Sequence, residues 1–220
     1  MKYLRKFNTS IEKLNWSASE EYVIPNVCLT EETVDYNVPA KIMGVSIQHI
    51  DGSYYTTEQW TAEGFSNDEA NGVAVLTEQT MFVIAKQNIK SNVWSYDYSK
   101  LIEGVSTFSS KSDAVKDMAG YDNTLHIASG AASYCMNYNF PNGKKGYLPS
   151  LGEMQIMFSY KQEVNAAMSL IGGDEIIDGI YWSSTQSSAD SAWGIEGAYS
   201  TEYNTYYKGT LRPSRPFTSI

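Results

Sequence analysis

The sequence predicts an α+β fold: strands first, helices in the middle, and short strands with long loops at the end. Three observations carry this expectation. Val45-Ser46-Ile47-Gln48-His49 alternates like a half-buried strand, and Gly72-Val73-Ala74-Val75-Leu76 and Met81-Phe82-Val83-Ile84-Ala85 read as two more. Ser150-Leu151-Gly152-Glu153 has the S-x-x-E form, in which a serine hydroxyl and a glutamate carboxylate satisfy orphan amides reciprocally at a helix start. After Ile180 the helical period vanishes, and Ser, Thr, Tyr and Gly dominate.

Taken in order, residues 1–41 stand apart. Val23-Ile24-Pro25-Asn26-Val27 and Val34-Asp35-Tyr36-Asn37-Val38-Pro39 are short extended pieces broken by proline and by the acidic Thr30-Glu31-Glu32 turn. Such a stretch buries little by itself, so it reads as an arm or attachment segment, with an extra edge strand as the alternative. Residues 42–220 read as one domain. Asp51-Gly52 is a hairpin signal, and Thr77-Glu78-Gln79 is the polar turn between the second and third strands. Ser112-Asp113 suits the cap of a short helix over residues 111–118. Residues 127–138 suit a second helix, with a small-residue face of Ala128, Ala131, Ala132 and Cys135. The capping box at Ser150 opens a third, presenting Leu151, Met154 and Phe158 at helical spacing. A further run from Val164 to Ile171 stops at Gly172-Gly173.

Composition narrows the functional classes. The 220 residues carry a net charge of -9, which argues against nucleic acid and against an anionic membrane surface. No window of 18 apolar residues occurs, and the amino terminus, MKYLRKFNTSIEKLNW, has no apolar core of a secretory signal. Tyrosine is abundant, with 17 Tyr and 5 Trp against 7 Phe, which favours half-buried and contact-making positions over a dry core. Cys28 and Cys135 have no metal-type spacing and read as small packed residues. His49 and His126 have no Asp or Cys pattern beside them. Ser183-Ser184 lies in no G-x-S-x-G elbow, and no phosphate-binding loop occurs. No enzyme is expected, and no cofactor. Gly173-Asp174-Glu175 with Asp178 forms a small acidic cluster that reads as a solvated turn, not a metal site.

The ordered set Gly146-Tyr147-Leu148-Pro149-Ser150-Leu151-Gly152-Glu153, Tyr181-Trp182-Ser183-Ser184-Thr185, Ala192-Trp193 and Leu211-Arg212-Pro213-Ser214-Arg215 resembles a C-type-lectin-like family. That family includes the variable proteins of diversity-generating retroelements and related phage tail and surface proteins. Gly44-Val45-Ser46, Gly72-Val73-Ala74-Val75 and Asn123-Thr124 also fit it, so the resemblance covers residues 42–220. It implies a C-type-lectin-like fold, with two helices on a small, twisted, mostly antiparallel sheet and a loop-rich C-terminal region. It further implies that Trp182 and Trp193 are buried framework residues, and that Arg212 and Arg215 lock loops by bidentate hydrogen bonds. The implied function is binding of a host-surface protein or glycan by a phage tail or fibre component. The N-terminal arm would meet other virion proteins, and a homotrimer would follow by analogy with fibres. A structural decoration protein and a bacterial adhesin are the alternatives. Calcium-dependent sugar sites use Glu-Pro-Asn or Gln-Pro-Asp with Trp-Asn-Asp; neither occurs here, so no calcium requirement is expected. Formylglycine-generating enzymes share the scaffold but need paired cysteines near the C-terminus, and the final 85 residues have none.

Ser, Tyr, Gly and Thr supply 14 of the 24 residues in 187–210. Antibody paratopes use the same mixture, because Tyr brings rigid contact area and the small polar residues adapt their hydrogen bonds. The expected ligand-binding set is therefore Gln186, Ser187, Ser188, Asp190, Ser191, Gly194, Glu196, Tyr199, Thr201, Tyr203, Asn204, Tyr206 and Tyr207.

Overall fold

A computed structural model describes residues 43–78, 80–177, 179–196 and 203–220. These belong to one compact unit, Asn37–Ile220. The expected arm with Cys28, its boundary near residue 41, and Gln79, Asp178, Tyr199 and Thr201 lie outside the described residues.

The chain opens with β1 (Gly44–His49) and β2 (Tyr54–Tyr55), then α1 (Thr57–Glu63), β3 (Ala70–Leu76), β4 (Met81–Ile84) and β5 (Ile89–Asn92). Five helices follow: α2 (Lys111–Ala114), α3 (Gly120–Ile127), α4 (Gly130–Asn137), α5 (Leu151–Ser159) and α6 (Lys161–Leu170). Strands β6 (Ile180–Gln186), β7 (Ser191–Glu196), β8 (Tyr203–Tyr207), β9 (Arg212–Ser214) and β10 (Phe217–Ser219) complete it. The fold is mixed α+β, and every pairing between these strands is antiparallel.

The main sheet has the order β10-β4-β3-β1-β2. Its central strand β3 is buried along its whole length, and its alternation sorts two cores. Val73 and Val75 join Ile47, Phe82, Ile84 and Phe217 against Leu151, Met154, Phe158, Val164 and Met168 of α5 and α6. Ala74 and Leu76 join Val83, Ala85 and Phe140 on the other face. Two smaller sheets, β5-β9 and β6-β7-β8, hold the remaining strands.

Helix content exceeds the sequence expectation. α1 buries only Trp60 and therefore shows no apolar period, although Thr56 and Gln59 form a complete capping box. α3 turns Asn123 and Thr124 inward in place of apolar side chains. The helix expected over residues 127–138 forms as α4 but starts later, at Gly130, because Ala128 adopts φ 47° and separates it from α3. The break is tertiary in origin: the Ala131 amide bonds the carbonyls of Val93 at 2.9 Å and Trp94 at 3.2 Å. α2 is capped by Ser110, not Ser112, its hydroxyl accepting from the Asp113 amide at 3.3 Å.

The α5 capping box forms as expected and anchors a buried polar junction. The Ser150 hydroxyl donates to the Asp117 carbonyl at 2.6 Å, and the Glu153 carboxyl accepts from the Ser150 amide at 2.8 Å and the Tyr147 hydroxyl at 2.9 Å. The Asp117 carboxyl accepts from the Thr185 hydroxyl at 2.6 Å, the Asn123 amide at 3.0 Å and the Ala119 backbone at 3.0 Å. A Cβ on Gly152 would stand 2.4 Å from the Asp117 carbonyl oxygen, so glycine alone permits this approach. Helix α5, the α2–α3 link and β6 are thus joined through side chains 5% exposed or less.

Burial pushes the Glu153 carboxyl up to about 7, because the ionised form is poorly solvated there. Folded protein then holds a proton that unfolded chain releases near its ordinary 4.5. Stability from this group is complete below about 4.5, declines as pH rises, and is gone above about 7. Urea unfolding at pH 5 and pH 7.5 should show a loss on the order of 3 kcal/mol across that window. Glu153→Gln should flatten the slope; an unchanged slope would remove Glu153 as its source.

Candidate binding surface

β8 is an edge strand of the C-terminal sheet, paired to β7 from Ser191↔Tyr207 through Ile195↔Tyr203. Two-residue alternation divides its side chains. Tyr203 joins Trp193, Ile195 and Tyr181 in the helix-side core, whereas Tyr206 lies on the opposite face against Trp182 and Ala192. Gly194 sits where a Cβ would meet the Tyr181 carbonyl at 2.8 Å, so it keeps β6 and β7 close.

The expected site residues consequently part company. Gln186 is fully buried, and its side-chain amide is filled from inside. Its oxygen accepts from Lys208 Nζ at 2.7 Å and the Ile102 amide at 3.0 Å, and its nitrogen donates to Thr107 Oγ1 at 2.9 Å. Gly194 and Tyr203 are also buried, so these three do not present side chains to a ligand. Ser187, Ser188, Ser191, Glu196 and Tyr206 are half-buried, and Asp190, Asn204 and Tyr207 are exposed. Asp190 organises the β6–β7 turn. The hydroxyls of Ser188, at 2.6 Å, and Ser191, at 2.9 Å, hold its carboxyl below the ordinary range.

Folding also supplies tyrosines that lie far from this segment in sequence. Tyr207 is 54% exposed, and its ring centroid stands 5.8 Å from that of Tyr98, itself 39% exposed. Tyr96 is 64% exposed, and the neighbouring phenol of Tyr134, 46% exposed, pushes its ionisation upward. Tyr134, Tyr96, Tyr98 and Tyr207 thus form a continuous exposed tyrosine row from α4, the 95–101 loop and β8. The run Ser95-Tyr96-Asp97-Tyr98-Ser99 carries the same tyrosine-serine signature as residues 187–210.

Lys208 props this row from beneath. Its side chain is fully buried, and Nζ donates to the Lys100 carbonyl at 2.8 Å, Gln186 Oε1 at 2.7 Å and the Ala189 carbonyl at 2.7 Å. The ammonium also lies 4.9 Å from the Trp94 ring centroid. Burial pulls its ionisation down to about 8. One side chain therefore ties the 95–101 loop, the β6–β7 turn and the end of β8 together.

The tryptophans behave as framework. The indole nitrogens of Trp94, Trp182 and Trp193 donate to the carbonyls of Ser183 at 2.7 Å, Asn92 at 3.0 Å and Phe108 at 2.7 Å. The arginines do not make the expected bidentate locks. Arg215 is fully buried with a hydrogen bond from one terminal nitrogen to the Asp174 carbonyl, and Arg212 is stacked on aromatic rings instead. Cys135 is a buried free thiol, pushed up to about 12 by burial and poorly suited to nucleophilic attack. Among the described residues, no group of three His, Cys, Asp or Glu side chains is placed to hold a metal ion, and no helix is long and apolar enough to cross a membrane.

Fold and surface together define a mixed α+β protein with an exposed, internally braced tyrosine row drawn from α4, the 95–101 loop and β8. Its fold is similar to that of a fimbrial protein from Bacteroides ovatus, with a TM-score of 0.58 at 13% identity. The match covers 80% of this chain and 48% of that one, so this chain spans about half the length of its structural neighbour. No family model matches the chain, and no curated protein does.

Proposed function

We propose that the protein is a ligand-recognition module whose tyrosine row contacts a host-surface macromolecule, carried on a C-type-lectin-like scaffold as a phage tail or fibre component. The observation that carries this reading is the row itself: four exposed tyrosines from three separate segments, braced by Lys208. Tyrosine rings exposed on a rigid frame give large contact area with little ordering cost. Asn204 and Asp190 supply adaptable polar contacts at the margin. The scaffold assignment draws support from where the motif residues meet. Ser150, Gly152 and Glu153 join Thr185 through Asp117, and Trp182 and Trp193 anchor β6 and β7.

A second reading, a bacterial surface adhesin, is favoured by the fold likeness to a fimbrial protein. Locating the chain in purified virions or in cell-envelope fractions separates the two.

The contact surface is tested by labelling a panel of intact bacteria with fluorescent protein and scoring flow cytometry. Wild type should label at least one strain. Tyr98→Ala with Tyr207→Ala should lose about tenfold or more of that signal, since each removes an exposed aromatic contact. Its melting temperature should stay within a few degrees, because neither ring is buried. Undiminished labelling by the double variant would exclude the row.

A further inference from the structure

We propose that Arg212 reads a carboxylate, that of an acidic sugar residue in the bound macromolecule. This rests on the ligand-recognition function proposed above and adds a second contact point, on the face of β8 that carries Asn204 and Tyr206.

The guanidinium carbon of Arg212 lies 3.8 Å from the ring centroid of Tyr206 and 5.6 Å from that of Trp182. These two rings meet edge to face at 6.3 Å, and the Trp182 indole is itself fixed by its bond to the Asn92 carbonyl. Asn92 is the register partner of Arg212 across β5 and β9. The arginine is thereby held against two aromatic rings before any ligand arrives.

Its donors, however, are unmatched. Among the described residues the Arg212 side chain has no hydrogen bond and no ion pair, and its Nε is enclosed without a partner. Arg212 as a whole is half-buried, and its terminal nitrogens are not among the enclosed atoms. Lys208 shows the contrast: it is equally fixed but has its donors consumed by three acceptors. A planar cation, immobilised and open on its terminal edge, matches a carboxylate that accepts two parallel hydrogen bonds. Glu196 lies on the same face of the sheet, opposite Ile180, but is not paired with the arginine.

Two features favour a sugar over an acidic protein surface. The chain carries a net charge of -9, which repels a densely anionic partner, whereas a single carboxylated sugar adds one charge. Exposed Asn204, on the same face as Tyr206, offers both donor and acceptor to sugar hydroxyls.

Methyl β-D-glucuronide and methyl β-D-glucoside differ only in the carboxylate and serve as probes in 1H–15N NMR titrations of the whole chain. Glucuronide should give saturable shifts at Asn204, Tyr206 and Arg212, and glucoside should bind about tenfold more weakly or less. Arg212→Gln should reduce glucuronide binding to the glucoside level. Arg212→Lys should restore only part, because an ammonium lacks the planar fork. Should Arg212→Gln fail to fold, the comparison of the two probes on wild type still decides. Equal shifts from both probes, or glucuronide shifts unchanged in Arg212→Gln, overturn the assignment. N-acetylglutamate methylamide binding as well as glucuronide would overturn the sugar part of it. The tyrosine double variant reports separately on the recognition surface, so loss of cell labelling there without a glucuronide preference removes the Arg212 proposal alone.

Discussion

Asp117→Ala is expected to destabilise the protein by about 3–5 kcal/mol, more than the other single changes considered. The carboxyl is 4% exposed and accepts from Thr185 Oγ1, Asn123 Nδ2 and the Ala119 amide. Alanine leaves these donors facing a void, and each orphaned buried donor costs about 1–3 kcal/mol. The damage should spread, since the same junction holds the Ser150 cap of α5 and the end of β6. A second signature separates this from simple loss of packing. The charge of Asp117 contributes to the raised ionisation of Glu153, so the variant's pH-dependent stability should shift its upper limit below about 7. Denaturant unfolding across pH 5 to 7.5 measures both. A loss under about 1 kcal/mol would mean that water replaces the carboxyl without penalty.

Lys208→Met is expected to cost about 3 kcal/mol and to abolish recognition, although Lys208 itself is sealed from any ligand. Methionine keeps the volume but leaves the Lys100 carbonyl, Gln186 Oε1 and the Ala189 carbonyl without their donor. Gln186 retains its bond from the Ile102 amide, so β6 should stay in place while the 95–101 loop loses its hold. Tyr98 would then no longer be braced beside Tyr207. Hydrogen exchange should rise in residues 95–101, and cell labelling should fall as far as in the tyrosine double variant. Unchanged exchange in that loop would show that Trp94 alone, with its amide bound to the Lys208 carbonyl at 2.8 Å, suffices.

Local chemistry was readable before folding. The capping box at Ser150 and Glu153, the strands β1 and β3, and the glycine stop after α6 each depend on neighbours within a few residues, where local pattern dictates geometry. The framework role of Trp182 and Trp193 was also anticipated. Helices α1 and α3 escaped because one buries a single tryptophan and the other turns polar groups inward, so neither shows an apolar period.

Composition marked the last third of the chain as the expected contact region but could not sort its residues into buried and exposed. Alternation puts Tyr203 and Tyr207 on one face of β8 and Tyr206 on the other, yet Tyr203 is buried in the helix-side core and Tyr207 is exposed, because cover depends on what packs over each end of the strand. Gln186 sits within the expected window, yet Lys208 and Ile102 claim its amide from 22 and 84 residues away. Tyr98 meets Tyr207, and Tyr96 meets Tyr134, only through long-range packing, and the fold sets Arg212 against Tyr206 and Trp182 with no acceptor for its Nε. Period and capping are properties of a short segment. Exposure, pairing and the fate of each donor belong to the assembled chain, because distant residues compete for the same partners.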